Sequence, residues 1–304
     1  MTLVLMLKRT AKVFLLDYFQ SMVTNAFRLL AFRARFKIKT ILFPARYKKS
    51  SLPIDIVIPV VDKDVETLPF AIDSARRYIG HPIMDVYLVC PENSVLVKRI
   101  GLEKNCKIVN ERDLVDISPK DIHFVWQGHN RAGWMYQQFL KWSGGQFCTQ
   151  THYLVMDSDT VFIRPQVFEI GGRMVFDYCD EYHVPYFQAF EKIFGIKPQS
   201  PMSFTSHHAL IDTIIMSRLK SDIEAFHRKP WYEVILSVID QNEMACISDY
   251  DNYGQYILEK LPSMMCVRYW HNKRLSRESL GDFEKSTRKY ARRYNTISFH
   301  SEKW

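Results

Sequence analysis

From position 54 to position 162 the chain alternates short apolar runs with amphipathic stretches. Ile54–Val60 is rich in β-branched residues, carries Pro59 near its end, and reads as a buried strand. Glu66–Tyr78 repeats its apolar residues at helical spacing. Asp85–Cys90 is a second strand, closed by Pro91-Glu92-Asn93, and Val95–Ile100 reads as a short helix. Cys106–Val109 and His123–Val125 read as further short strands. Arg131–Trp142 sets Trp134, Met135, Phe139, Leu140 and Trp142 against Gln137, Gln138 and Lys141, a helix that Gly144-Gly145 ends. His152–Phe162 then begins as a buried strand and meets two aspartates, Asp157 and Asp159, at its carboxyl end. Strands alternating with helices predict an α/β fold, a Rossmann-type mixed and mostly parallel sheet flanked by helices.

Further on the pattern weakens. Residues 173–210 mix short strands with loops rich in Tyr, Phe and His. Ile211–Phe226, Trp231–Ile239 and Asn252–Leu261 read as helices, and Gly281–Tyr294 as a basic amphipathic one. Ile297-Ser298-Phe299 is a last short strand before His300. At the other end, Ser50-Ser51-Leu52-Pro53 reads as a linker. It separates a basic amphipathic extension, residues 1–50, from the domain of residues 51–304.

The extension holds an apolar series, Val13, Phe14, Leu15, Phe19, Met22, Val23, Phe27, Leu29, Leu30 and Phe32, interrupted by Asp17, Gln20, Asn25 and Arg28. No run approaches the roughly 20 apolar residues of a spanning helix, and no small-residue cleavage site marks a signal peptide. The spacing fits a helix lying on a surface. A basic cluster from Arg33 to Lys49 follows, and an anionic leaflet would attract it by about 1 kcal/mol per Lys or Arg. The alternative is a helical extension packed on its own domain or on a partner subunit.

Charge sharpens this division. The net charge is +8, yet residues 1–50 hold eleven Lys and Arg against one acid, Asp17, and the remainder holds 30 basic and 32 acidic residues. The body is nearly neutral, which argues against nucleic acid as a partner. Six cysteines are scattered without CxxC spacing, which indicates neither a zinc site nor a redox motif and favours a reducing compartment. The expected location is cytoplasmic, at the inner face of the cell membrane.

The two aspartates carry the chemistry. Side chains at i and i+2 on extended backbone point the same way. At the carboxyl end of a strand in an open α/β sheet, where ligands bind, Asp157 and Asp159 are placed to hold one hard cation, Mn²⁺ or Mg²⁺. That cation would grip a diphosphate and neutralise it as a leaving group. A solvated strand-to-turn junction, with Asp159 capping Thr160 and Val161, is the plainer alternative.

The strand Asp55–Val60, the late strand closing in Asp157-Ser158-Asp159 and the length of the remainder resemble a GT-A-fold glycosyltransferase. More narrowly, Arg131–Lys141, Ser206-His207-His208 and Ser248–Gly254 resemble segments of a bacterial family labelled only as a domain of unknown function. Its members sit among polysaccharide-synthesis proteins. The similarity spans about residues 54–304 and excludes the arm. It implies a nucleotide-sugar donor gripped near Pro59, Val60 and Asp62, by Arg131, Trp134, Gln137, Gln138 and Lys141, and by Asp157, Ser158 and Asp159. His300 is the counterpart of a late histidine that completes the metal shell in many GT-A enzymes, with His271 as rival. His207, His208 and Tyr253 become acceptor candidates.

Asp249 or Asp251 would be the base that takes the acceptor's proton, although plain N-capping by Asp251 also fits this helix start. Relatives look to have glutamates at these positions, so an aspartate would need the acceptor to approach more closely. The expected function is transfer of a sugar to a hydroxyl of a bacterial surface glycan or a lipid-linked glycan, with inversion if one of these aspartates is the base and a retaining, front-face mechanism if neither is placed for it. A nucleotidyl- or phosphoryl-transferase is a second reading, weakened by the absence of glycine in Pro59–Lys63. A non-catalytic nucleotide-sugar-binding subunit of an assembly complex is a third.

Overall fold

A computed structural model of the protein describes residues 48–179, 182–198 and 203–300, with helical positions 27, 30, 31, 34, 35 and 38 of the N-terminal segment. Most of the apolar series expected between Val13 and Phe32 lies outside the described residues. The chain divides into two units, 1–45 with 199–202 and 46–198 with 203–304; the fold below is that of the second.

In chain order the strands are β1 (Ile54–Pro59), β2 (Ile83–Cys90), β3 (Lys107–Asn110), β4 (Val125–Trp126), β5 (His129–Asn130), β6 (His152–Met156) and β7 (Thr160–Phe162). They continue with β8 (Glu169–Ile170), β9 (Arg173–Tyr178), β10 (His208–Asp212), β11 (Met265–Tyr269), β12 (Asn272–Ser276) and β13 (Thr296–His300). The helices of this unit are α1 (Leu68–Tyr78), α2 (Val95–Glu103), α3 (Ala132–Lys141), α4 (Val184–Phe194), α5 (Thr213–His227), α6 (Trp231–Ser237), α7 (Asp249–Lys260) and α8 (Phe283–Tyr290).

The main sheet has the order β10-β6-β1-β2-β3. β1 runs parallel to β2 and β6, β2 parallel to β3, and only the edge strand β10 is antiparallel. Every residue of β1 is buried, as expected of a central parallel strand covered on both faces. Helix α1 buries Leu68, Ala71, Ile72 and Ala75, and α3 buries Met135, Tyr136, Phe139 and Leu140. From β1 the chain builds outward to β2 and β3, then returns to the other side of β1 as β6. The order therefore reverses between β1 and β6, the place where an open α/β sheet leaves a crevice at its carboxyl edge. Asp157 follows the last residue of β6.

Two smaller sheets extend this edge. One has the order β11-β9-β8, the other β12-β13-β7. β9 and β10 are short strands of the kind expected in residues 173–210; β11 and β12 lie where the sequence assigned no element, because they alternate too weakly to be read without their partners. Helix α4 was also not expected. Its apolar face (Ala189, Phe190, Ile193) is buried, but the aromatic density around it masks the period. His123–Val125 is shorter than expected: Val125–Trp126 pairs only with β5 in a hairpin whose turn, Gln127 and Gly128, has φ of 45° and 82°.

The expected linker is pinned to the body. Ser50 N–H donates to the Gly80 carbonyl at 2.8 Å and its hydroxyl to Glu169 at 2.6 Å. The six cysteines are all free thiols.

Asp55 ties the sheet together from inside β1. Its carboxylate, fully buried, accepts from the Asp85 N–H (3.1 Å), the Thr149 N–H (2.7 Å) and the Gln150 N–H (3.0 Å). These bonds join β1 to β2 and to the turn that feeds β6. Removing the acceptor leaves three donors without it, each worth about 1 kcal/mol or more. Asp55→Ala is expected to destabilise the protein by about 3 kcal/mol, read as a lower urea midpoint with an unchanged m-value.

Candidate active site

A cleft of about 250 Å³ lies at the carboxyl edge of β6, lined among others by Trp134, Gln137, Lys141, Asp157, Ser158, Asp159, Tyr186, His207, Asp249 and His300. Its centre is one ammonium. Lys141, the last residue of α3, is 4 % exposed, and its Nζ lies 2.8 Å from Asp157 Oδ1 and 3.4 Å from Asp249 Oδ1. The same ammonium stands 4.1 Å from the centre of the Tyr250 ring. Burial alone would favour the neutral amine, but the two carboxylates outweigh it and hold Lys141 above its ordinary value.

Asp157 is the most engaged of the acids. Its Oδ1 also accepts from the Tyr250 hydroxyl at 2.8 Å, and its Oδ2 lies 3.0 Å from His207 Nδ1. Burial would raise its pKa, yet Lys141 and His207 overcome that and hold it well below the carboxylate range. Asp159 is compensated far less. It lies 3.5 Å from His300 Nδ1 and takes a hydroxyl from Thr160 at 3.3 Å. Burial and the neighbouring Asp157 charge push it up to about 6. The β7–β13 pairing sets Ser298 opposite Thr160, and the Phe299 N–H donates to the Asp159 carbonyl at 2.9 Å. That pairing carries His300 to Asp159 across some 140 residues of chain.

Asp249 opens α7. Its N–H donates to Gln138 Oε1 at 3.0 Å, and its carbonyl accepts from Trp142 Nε1 at 3.4 Å. One carboxylate oxygen faces Lys141; the other, Oδ2, is buried without a hydrogen-bond partner. Burial first, and Asp157 after it, raise its pKa to about 7 against the pull of Lys141.

The remaining candidates divide. Trp134, Gln137, Gln138 and Ser158 line the cleft; Gln137 also donates to the Pro59 carbonyl at 3.3 Å, and Gln138 to the Trp134 carbonyl at 3.3 Å. Arg131 is outside the lining, stacked 4.7 Å over Trp134 with its Nε donating to the Met244 carbonyl. Val60 is buried, and Asp62 accepts from the Val97 N–H at the start of α2, so neither faces the cleft. Asp64 does, paired with Arg277.

Three candidates were expected at the cleft and lie in the core instead. Asp251 accepts from the Phe204 N–H (2.7 Å), Ser203 hydroxyl (3.0 Å) and Thr205 hydroxyl (3.1 Å). Tyr253 is fully buried, and its oxygen accepts from the Asp212 N–H. His208 turns away from His207 to a buried network, 2.7 Å from Asp177, which is itself paired with Arg268. The sequence reading in turn missed Tyr250, Tyr186, Thr205 and Ser248. Tyr250 sits between the two aspartates that were singled out, which was the one available signal.

A hard divalent cation fits this donor set by type and charge. Asp157 and Asp249 flank the Lys141 ammonium, Asp159 adds a third carboxylate to the cleft, and burial followed by the Asp157 charge raises the proton affinity of Asp159. Among the described residues no group of three or more His, Cys, Asp or Glu is already arranged to hold an ion.

The profile described as Family of unknown function (DUF6492) matches residues 52–287. The chain belongs to this family. No curated protein matches. Among solved structures this DUF6492 chain is similar to mouse xyloside xylosyltransferase 1 in its apo form, at 13 % identity and a TM-score of 0.43, over 81 % of this chain and 97 % of that one. It is similar to galactosyltransferase LgtC in complex with donor and acceptor sugar analogs, at 13 % and 0.44, over 81 % and 87 %. It is also similar to the bifunctional glycosyltransferase WbbM in its apo structure, at 13 % and 0.45, over 85 % of this chain and 47 % of that one.

The ionised form of Asp159 costs the fold stability. The cost is absent below the ordinary value of 3.8, grows as pH rises through about 6, and is complete above that. Asp159→Asn is expected to gain about 2 kcal/mol at about pH 8 and nothing at about pH 4. Melting temperatures in the presence of a chelator check this.

Proposed function

We propose that this DUF6492 protein is a glycosyltransferase that moves a sugar from a nucleoside diphosphate to an acceptor hydroxyl. One observation carries the reading. Asp157 and Asp159 stand at the switch point of a parallel sheet, and Asp249, joined to Asp157 through Lys141, shares their cleft. A buried carboxylate with a pKa near 7 and one oxygen without a partner is suited to general base work at neutral pH.

In this reading Asp249 takes the proton of the acceptor hydroxyl. The oxygen attacks the anomeric carbon, the bond from that carbon to the diphosphate oxygen breaks, and the nucleoside diphosphate leaves with the electron pair. Attack opposite the leaving group inverts the anomeric centre. Asp157, Asp159 and His300 would hold Mg²⁺ or Mn²⁺, which supplies positive charge for a departing diphosphate. Lys141 fixes the spacing between the donor-side and acceptor-side carboxylates. Gln138 holds the Asp249 backbone, so the base is positioned by α3 as well as by its own helix. The acceptor expected from the family's setting is a hydroxyl of a surface or lipid-linked glycan.

A screen of nucleotide sugars, with mass-spectrometric detection of released nucleotide, tests the proposal. Asp249→Asn is expected to lower kcat by about a hundred-fold or more with little change in donor affinity, whereas Asp159→Ala lowers donor affinity. Undiminished turnover by Asp249→Asn removes Asp249 as base. Absence of binding to any nucleoside diphosphate, with or without Mn²⁺, overturns the transferase reading in favour of a non-catalytic subunit.

A further inference from the structure

We propose that the outer face of α8 seats the protein on an anionic lipid bilayer. The inner face of this helix is fixed by packing. Phe283 lies against Phe70 and Phe299, with ring centres 4.5 Å and 6.2 Å away. Tyr290, Ala291 and Tyr294 rest on the buried cluster of Val161, Ile163, Ile297 and Phe299. Helical hydrogen bonding runs on beyond Tyr290: the Ala291 N–H donates to the Thr287 carbonyl and the Tyr294 N–H to the Tyr290 carbonyl, each at 2.9 Å. The opposite face is then Lys285, Arg288, Lys289 and Arg292, at the i, i+3, i+4, i+7 spacing of one stripe. All four are exposed, and so is Arg293 beside them.

These cations lean on neutral groups. Arg288 donates to the Glu284 carbonyl at 3.2 Å, Lys289 stands 5.1 Å from the centre of the Tyr290 ring, and Arg293 stands 5.6 Å from that of Tyr294. Their charge stays open to solvent. Lys273 to Arg293 holds eight Lys and Arg against three acids, whereas the rest of residues 51–304 holds 22 against 29. The domain is thus an acidic body with one basic face. A long polyanion that spread over the body would meet its acids; a plane of headgroups touches the basic face alone. A helix face is also convex, with no walls to enclose a small anion. Clusters of about four to eight Lys and Arg on an amphipathic helix are drawn to anionic headgroups. Residues 1–50, with eleven cations and one acid, carry the wrong sign to cover the stripe.

The inference stands apart from the transferase reading, since it uses no residue of the cleft. α8 does pack on β13, the strand that carries His300 to Asp159. Arg277, just ahead of α8, donates to the Phe299 carbonyl and pairs with Asp64 at the cleft. Where both readings hold, the membrane face and the cleft share β13, and the acceptor is one displayed at that surface.

Sedimentation of the full-length protein with vesicles tests it. Vesicles of phosphatidylcholine containing phosphatidylglycerol are expected to bind at least about ten-fold more tightly than phosphatidylcholine alone, with the difference shrinking at high salt. The variant Lys285→Gln, Arg288→Gln, Lys289→Gln, Arg292→Gln keeps good helix formers at exposed positions. It is expected to lose about ten-fold or more of that binding, with the melting temperature unchanged. A control, Lys120→Gln, Arg173→Gln, Lys229→Gln, Lys260→Gln, removes the same charge from exposed positions elsewhere on the domain and is expected to bind as the wild type does. Both variants retain residues 1–50, so that segment contributes equally to each. No preference for anionic vesicles, equal binding by the α8 variant, or an equal loss in the control overturns the proposal. So does wild-type binding to duplex DNA that exceeds binding to the anionic vesicles. Donor binding measured without vesicles is a separate readout, so failure here and failure of the transferase reading are distinguishable.

Discussion

The site is organised around a single buried ammonium. Withdrawing a lysine from water is expensive, and Lys141 is tolerated only because Asp157 and Asp249 flank it and the Tyr250 ring lies beneath it. The three partners come from two further elements: Asp157 follows the end of β6, and Asp249 and Tyr250 open α7. Their convergence fixes α3, the main sheet and α7 against one another. Burial first, and the charge of Asp157 after it, raise the proton affinity of Asp159 and Asp249. The packing that holds the scaffold together thus also sets the chemical character of the cleft.

Much of the fold was legible because the signals were local. β1 and β6 are nearly continuous apolar runs, interrupted by Asp55 in the first and opened by His152 in the second, as buried parallel strands read, and α3 shows its face at the right period. The crevice could be anticipated once Asp157 and Asp159 closed such a strand. Strands β11 and β12 are half-buried at most positions, and only their pairing across long loops makes them strands.

Within the site the sequence found the neighbourhood more readily than the orientation. Asp249 and Asp251 both sit at the start of α7, two residues and therefore about 200° apart around the helix. One reaches Lys141; the other faces the loop of Ser203 to Thr205. The helical phase is set by packing, as when Gly254 lies so close to Phe204 that an added Cβ would meet the ring at 2.4 Å. His207 and His208 show the same difficulty where the chain turns from a loop into β10. His207 meets Asp157 with its backbone in the left-handed region, φ 66°, and His208 meets Asp177. Spacing identified both pairs, and only the surrounding structure separates their members.

Pairing of β7 with β13 has a consequence for biosynthesis. Asp159 emerges from the ribosome long before His300, and the strand that unites them is made after nearly everything else described in the fold. A nascent chain can bury β1, β2 and β6 while the cleft still lacks one wall. Completion of that wall thus waits on synthesis of β13, which keeps a chain made only as far as β6 from presenting a finished site.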